Sequence, residues 1–230
     1  MFIEKFLCWY KKQIQPLSAT EHQALLAGSV GFEQYLFNGT PEWEVLRDQP
    51  TATFSPEEQA FFETELNQLC RLLNDWEITQ EQLDLPKAAW DWIRTKKFLG
   101  LIIPKHYGGR EFSVSAIAFI LKKLSGKSVT AATTVGVANS LGPAELLLHY
   151  GTEEQKNYYL PRLATGEEIP CFALTGPDAG SDAASIPDRG VICRREWQGK
   201  STIGILLNWN KRYITLCPIA TVMGLAFHLL

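Results

Sequence analysis

The feature that most constrains this chain is a change of hydrophobic period near Gly166. Before that point, segments with apolar residues at helical spacing follow one another, each opened by a start signal. Ser18 with Glu21, Thr79 with Gln82 and Thr152 with Gln155 have the spacing of a capping box. Ser55-Pro56-Glu57-Glu58 combines a cap, a proline at the first helical position and a glutamate at the third. Behind it, Phe62, Leu66, Leu69 and Leu73 recur on one helical face. Pro86 to Phe98 is predicted helical with a short apolar face: Trp90, Ile93 and Lys97 fall on one side and Ala89, Trp92 and Lys96 on the next. Leu101-Ile-Ile-Pro104 then leads into Tyr107-Gly108-Gly109, where paired glycines allow a positive-φ bend. Ser113 to Leu124 is the next helix, ended near Gly126. Val129 to Leu141 carries no charge and is expected to be buried on most sides. Gly142-Pro143 breaks it, and Ala144 to Tyr150 resumes.

After Gly166 the pattern becomes strand-like. Ile169 to Leu174, Val191 to Cys193 and Ile203 to Leu207 are short β-type runs, separated by turn signals such as Gly199-Lys200. Ile214 to Leu230 is almost uncharged, with Lys211 and Arg212 before it. It reads as two buried strands bent at Pro218, or as a membrane anchor with basic flanks. Pro218, Gly224 and two threonines interrupt it, which favours strands. Helices followed by strands indicate an α+β chain. The expected organisation is an amphipathic segment over 1–17, a helical domain over 18–167, and the start of a β domain over 168–230, truncated at Leu230.

Hydrophobic residues make up 46% of the 230 positions and charged ones 20%, ordinary values for a soluble globular chain. A net charge of −3 argues against a nucleic-acid partner. Cys8, Cys70, Cys171, Cys193 and Cys217 are scattered, with no CxxC and no clustered histidine. That points to reduced thiols, a cytoplasmic location and no metal site. His22, His106, His149 and His228 stand in unrelated contexts and read as structural, and Glu145 reads as a capped or solvated carboxylate. The apolar core of Met1 to Lys12 is too short and too interrupted for a signal peptide. It is amphipathic and aromatic-rich, with Lys5, Lys11 and Lys12. Such a helix either docks on its own domain or makes peripheral contact with the inner face of a membrane.

Chemistry is concentrated in two places. Cys171-Phe-Ala-Leu-Thr-Gly-Pro-Asp-Ala-Gly-Ser-Asp182 is an apolar run that breaks into a turn of small residues, bringing the Thr175 and Ser181 hydroxyls together. Lys211-Arg-Tyr-Ile-Thr215 sets an aromatic ring two residues before a threonine, in a later predicted strand. Phosphates need backbone N–H groups, hydroxyls and small residues, and a flat ring needs an apolar wall with a polar edge donor. The pair therefore suits a flat, phosphate-bearing cofactor; a plain β-turn is the alternative. Neither GxGxxG nor GxxxxGK[ST] occurs, so a nicotinamide fold is not the natural competitor.

These stretches resemble the acyl-CoA dehydrogenase family. Leu99-Gly-Leu-Ile-Ile-Pro-Lys-His-Tyr-Gly-Gly109, Gly151-Thr-Glu-Glu-Gln-Lys156, Tyr159-Leu-Pro-Arg-Leu-Ala-Thr-Gly-Glu167, Phe172 to Asp182 and Tyr213 to Thr215 carry the likeness, over roughly residues 18–230. Lys123-Leu-Ser-Gly126, Asn139-Ser-Leu-Gly-Pro143 and Ile169-Pro-Cys-Phe-Ala-Leu-Thr175 are similar to the long bacterial FadE-type enzymes of fatty-acid β-oxidation. The resemblance implies an acyl-CoA dehydrogenase-like N-terminal helical domain followed by an incomplete β-barrel-like middle domain. It implies FAD as cofactor, acyl-CoA as substrate, α,β-dehydrogenation as the reaction and an electron-transfer flavoprotein-type acceptor, and it leaves a homo-oligomer open. By position, Leu174 and Thr175 would line the flavin ring, Tyr213 would flank it and Thr215 would reach toward N5. Ser181 would contact the pyrophosphate and the substrate, with Phe172 and Gly180 completing the cofactor set. Phe172 and Tyr213 stand where many members have tyrosine and tryptophan, and Gly176 and Asp178 replace a commoner Glu and Gly. No residue corresponds to the family's glutamate base, so the isolated chain is expected to be inactive. An inactive fragment and a small membrane-associated helical protein are the rival expectations.

Overall fold

The computed structural model describes residues 2–13, 22, 23, 26, 28, 31–140, 142–180 and 182–230. The Ser18–Glu21 box and Ser181 lie outside them. Ser55 closes a complete capping box: its Oγ accepts the Glu58 N–H at 3.2 Å and the Glu58 carboxylate accepts the Ser55 N–H at 2.7 Å. The helix it opens continues through Pro56–Phe61, a π-type stretch Phe62–Leu66 and Asn67–Leu72. Phe62, Leu66, Leu69 and Leu73 all point into the core, as their spacing predicts. Thr152 closes the second box ahead of Glu153–Thr165, and the Ser113 and Ser128 hydroxyls cap Val114–Ser125 and Val129–Ala138. Lys87–Thr95 buries Ala89 and Ile93, while Arg94 and Lys96 sit over the rings of the half-buried Trp90 and Trp92.

Thr79 and Gln82 do not open a helix. They lie inside the π-type turn Glu77–Gln82, where Thr79 Oγ1 donates to the Asp75 carbonyl at 2.7 Å. The break comes earlier, at the extended Leu73, because the chain must already be helical to turn Ile78 into the core.

Two buried polar side chains tie the helices together. Glu58 also accepts the Ser113 N–H at 2.7 Å, so one carboxylate serves the N-termini of two helices. Burial pushes its pKa up, but the N–H groups of Ser113 and Ser55 outweigh that and hold it below the usual value of 4.5. Asn139 accepts from Ile102 N–H and donates to the carbonyls of Phe98 and Val135, pinning the 98–103 crossing. Its capping position ends the preceding helix at Ala138, short of Leu141. Gly108 takes the expected positive φ, +83°, and Gly109 passes so close that a Cβ there would lie 1.9 Å from the Ile103 carbonyl oxygen.

Five strands follow: β1 (Pro170–Ala173), β2 (Arg189–Trp197), β3 (Lys200–Asn208), β4 (Val222–Leu225) and β5 (His228–Leu229). β1 pairs in parallel with β4, from Pro170 opposite Val222 to Ala173 opposite Leu225. β2 and β3 form an antiparallel hairpin turning at Gln198-Gly199, both at positive φ, the backbone of a tight hairpin turn. β5 pairs in parallel with the start of β2. The described strands form two small sheets and no closed barrel. The helices Val129–Ala138 and Pro143–Tyr150 pack against β1. The tail departs from expectation. Ile214 to Leu216 is not a strand, Pro218 lies in the 3-10 turn Cys217–Ile219, and the residues of β4 and β5, each paired with one strand, are half-buried or exposed. Among the described residues no helix is long and apolar enough to cross a membrane. In the N-terminal helix Phe2–Gln13 every side chain described is exposed.

Candidate functional site

β1 runs from the helical core into the turn 174–180. Cys171 and Ala173 face inward, Phe172 is half-buried, and the chain then leaves the sheet at Leu174. Gly224 of β4 lies beneath Phe172 so closely that a Cβ there would come within 2.9 Å of its ring. The turn closes on itself where Gly176 N–H donates to the Ala179 carbonyl at 3.0 Å.

A second segment clamps this turn from behind. Lys211 Nζ donates to the Leu174 carbonyl at 2.8 Å, Arg212 N–H to the Thr175 carbonyl at 3.2 Å, and the Arg212 guanidinium to the Pro177 carbonyl at 2.6 Å. Lys211 reaches inward because Asp188 waits there. Their N···O distance is 2.5 Å, with side chains 1% and 2% exposed. The other Asp188 oxygen accepts the Asn210 N–H at 2.7 Å, and its carbonyl accepts the His228 N–H at 2.9 Å. Burial raises the Asp188 pKa, but Lys211 and the Asn210 N–H prevail and hold it below the usual carboxylate range. A buried pair with every oxygen occupied is the case in which Coulomb attraction repays desolvation.

The expected site residues divide into those the clamp gathers and those it does not. Leu174 and Thr175 are half-buried in the clamped turn. Gly180 is exposed, with nothing within 4 Å of a Cβ built on it. Tyr213 follows Arg212 directly, and it is 82% exposed. It is not in a strand: its φ is +59° and that of Leu216 is +64°. The reason is the clamp, which spends the backbone and side chains of 210–212 on single bonds to the turn rather than on a ladder. Thr215 is exposed beyond it. Asp188 and Lys211 were not foreseen as partners. The available signal was the pair Lys211-Arg212 at the head of an otherwise nearly uncharged tail.

Glu145 pairs with His149 at 2.9 Å, one turn along the same helix. All five cysteines are free; the buried Cys171 thiol is pushed up in pKa by burial and by its hydrogen-bonded neighbour Cys217. No group of His, Cys, Asp and Glu among the described residues could hold a metal ion. The turn fits one side of a flavin nucleotide: an apolar wall at Leu174, a hydroxyl at Thr175, open backbone at Gly180 and an exposed ring at Tyr213.

Residues 53–167 match the acyl-CoA dehydrogenase N-terminal domain. An acyl-CoA dehydrogenase of Bacillus subtilis is 33% identical over 117 residues, 51% of this chain and 28% of that protein. The 3-(aryl)acrylate reductase of Clostridium sporogenes is 34% identical over 137 residues, 60% of this chain and 34% of that one. The match thus spans about a third or less of these relatives' own length. Among solved structures, the Bacillus anthracis acyl-CoA dehydrogenase complexed with FAD superposes with a TM-score of 0.64 at 28% identity, covering 76% of this chain and 29% of that one. Helical domain, β start and ordered motifs agree with that likeness, and this chain belongs to the acyl-CoA dehydrogenase family.

Proposed function

We propose that this chain forms one wall of an FAD site in an enzyme that dehydrogenates acyl-CoA thioesters between Cα and Cβ, in fatty-acid β-oxidation. The observation that carries the reading is the clamp of Lys211 and Arg212 on the turn 174–177, which ties Leu174 and Thr175 to the segment that leads into Tyr213. A preset turn of this kind loses little conformational freedom when a cofactor settles on it. FAD, when bound, supplies the two-electron acceptor for the reaction. Leu174 and Thr175 line its ring, Tyr213 and Phe172 give flat apolar surface, and Thr215 donates at the ring's polar edge. Gly180 and Ser181 offer backbone and hydroxyl to the pyrophosphate, and Ser181 also meets the acyl-CoA. The acceptor that reoxidises the site is of the electron-transfer flavoprotein type. FAD in the Bacillus anthracis relative supports the cofactor assignment.

No residue of the chain takes the part of the base that removes the α-proton, a contribution of about 10²–10⁴-fold. The isolated chain therefore binds without turning over. The test is to mix the 230-residue chain with FAD, remove free flavin and record the bound flavin spectrum, then add acyl-CoA. Retained flavin that is not bleached is the expected result. A chain that keeps no flavin overturns the cofactor assignment, and bleaching at enzyme-like rates overturns the claim of inactivity.

A further inference from the structure

The Phe2–Gln13 helix has no part in the flavin site, and its surface is divided cleanly. At 3.6 residues per turn, Ile3, Phe6, Leu7, Trp9 and Tyr10 occupy one arc of about 160°, while Glu4, Lys5, Cys8 and Lys12 occupy the opposite side. The apolar side is in the open: Phe6 is 52% and Trp9 57% exposed. The rings of Phe6, Trp9 and Tyr10 gather into one patch, with centroids 5.8 and 6.2 Å from Phe6. Lys5 and Lys12 border that patch on the Trp9 side. The segment carries three lysines against one glutamate, whereas the whole chain has a net charge of −3.

We infer that this helix lies in the interface of an anionic lipid bilayer. Its apolar face enters the boundary between headgroups and acyl chains, and its lysines meet the lipid phosphates. A helix of 12 residues is about 18 Å long, well short of a hydrocarbon core of about 30 Å, so it lies on the membrane and does not span it. The aromatic composition also favours lipid. Tryptophan and tyrosine settle at the headgroup level, where one end is apolar and the other wet. A second copy would need a narrow aliphatic seam and would bring like charges together. One such helix gives reversible attachment.

The test is co-sedimentation of the full chain with vesicles of phosphatidylcholine alone and of phosphatidylcholine containing phosphatidylglycerol. The expected result is binding that depends on the anionic lipid and falls as salt is raised. Lys5→Gln with Lys12→Gln should weaken it about 30-fold, about fivefold per lysine. Phe6→Ser with Trp9→Ser should abolish it on both vesicles. Because these side chains are exposed, circular dichroism of the helical domain should not change. Ile203→Thr with Ile205→Thr, on the exposed hairpin, should leave binding intact. Three results overturn the inference: no sedimentation with anionic vesicles, binding unaffected by the Phe6/Trp9 pair, or binding lost only with the hairpin pair. A Phe6/Trp9 variant that loses dimers in the absence of lipid, with vesicle binding unchanged, assigns the face to a second copy and overturns it as well.

Discussion

Lys211 holds an ammonium where almost no water reaches, against Asp188 and the Leu174 carbonyl. Lys211→Met leaves a buried carboxylate without its cation, a change that costs about 3–5 kcal/mol. Hydrogen exchange at residues 174–180 should accelerate strongly, with the helical domain unaffected. Adding Asp188→Leu should recover much of the loss, because the stranded charge is then gone. Exchange unchanged by Lys211→Met would show that the pair does not hold the turn. Glu58 makes a separate case, with a pH signature. Its folded pKa is depressed, so its contribution is fully present above the usual value of 4.5 and is lost as pH falls through the lower folded value. Glu58→Gln should cost about 1–3 kcal/mol near neutrality, since one amide oxygen cannot match two carboxylate acceptors. It should also flatten the acid limb of the stability profile below pH 4.5. Identical acid limbs for wild type and variant would refute this. The capping half of the Glu58 role was visible in the spacing from Ser55. Its bond to Ser113, 55 residues away, was not, and neither was Lys211 with Asp188, 23 residues apart. Local spacing encodes local bonds, and partners joined by the fold leave no trace in it.

The elements were readable where a local rule governs them. Serine and threonine caps, the Gly108 bend and the hairpin turn, which falls at Gln198-Gly199, one residue before the expected Gly199-Lys200, follow from backbone chemistry within a few residues. The two glycines at the bend nevertheless differ in kind. Gly108 is required by its φ of +83°, with open space around a Cβ, whereas Gly109 is required because a Cβ would strike the Ile103 backbone. Gly108→Ala should therefore cost about 1 kcal/mol. Gly109→Ala should cost about 1–3 kcal/mol or more, as overpacking does. Urea unfolding of the two variants checks the order, and an equal or reversed pair would sink the distinction. Elements were misread where a rule was satisfied by accident or overridden. Thr79 has the spacing of a cap but sits in a helix already under way. Tyr213 to Thr215 has the composition of a strand, yet it is none: Tyr213 takes a φ of +59° straight after the clamp. Of the residues expected to hold a cofactor, Leu174 and Thr175 lie in the turn that Lys211 and Arg212 bond, and Tyr213 follows directly in the chain.

At the scale of the molecule, the two core clusters decide which part stands alone. Their buried side chains run from Phe61 to Ala138 in one and from Ile103 to Ala164 in the other, all within the helical domain. Among the described residues the β part has no cluster of comparable size. Its buried residues include Cys171 and Ala173 of β1, which lean on helices, and scattered positions such as Ala179, Ile186 and Asp188. β3 is exposed along its whole length, with Ile203 62% exposed, and its outer edge carries unpaired backbone groups. Unpaired edges beside apolar side chains template association, and the stretch after Arg212 has almost no charge to oppose it. The 230-residue chain should therefore self-associate in solution. Deleting 168–230 should give a better-behaved species, because the cores of the helical domain remain complete. Size-exclusion chromatography with light scattering checks both statements, and limited proteolysis should leave the helical domain intact longest. Charged substitutions at Ile203 and Ile205 should reduce association without changing the melting of the helices, since neither residue touches the core. Association that survives those substitutions but disappears with Phe6→Ser and Trp9→Ser would move its origin to the N-terminal helix. A monodisperse monomer of the full chain would mean that the hairpin face is tolerated in water, and that its exposure does not mark a surface awaiting cover.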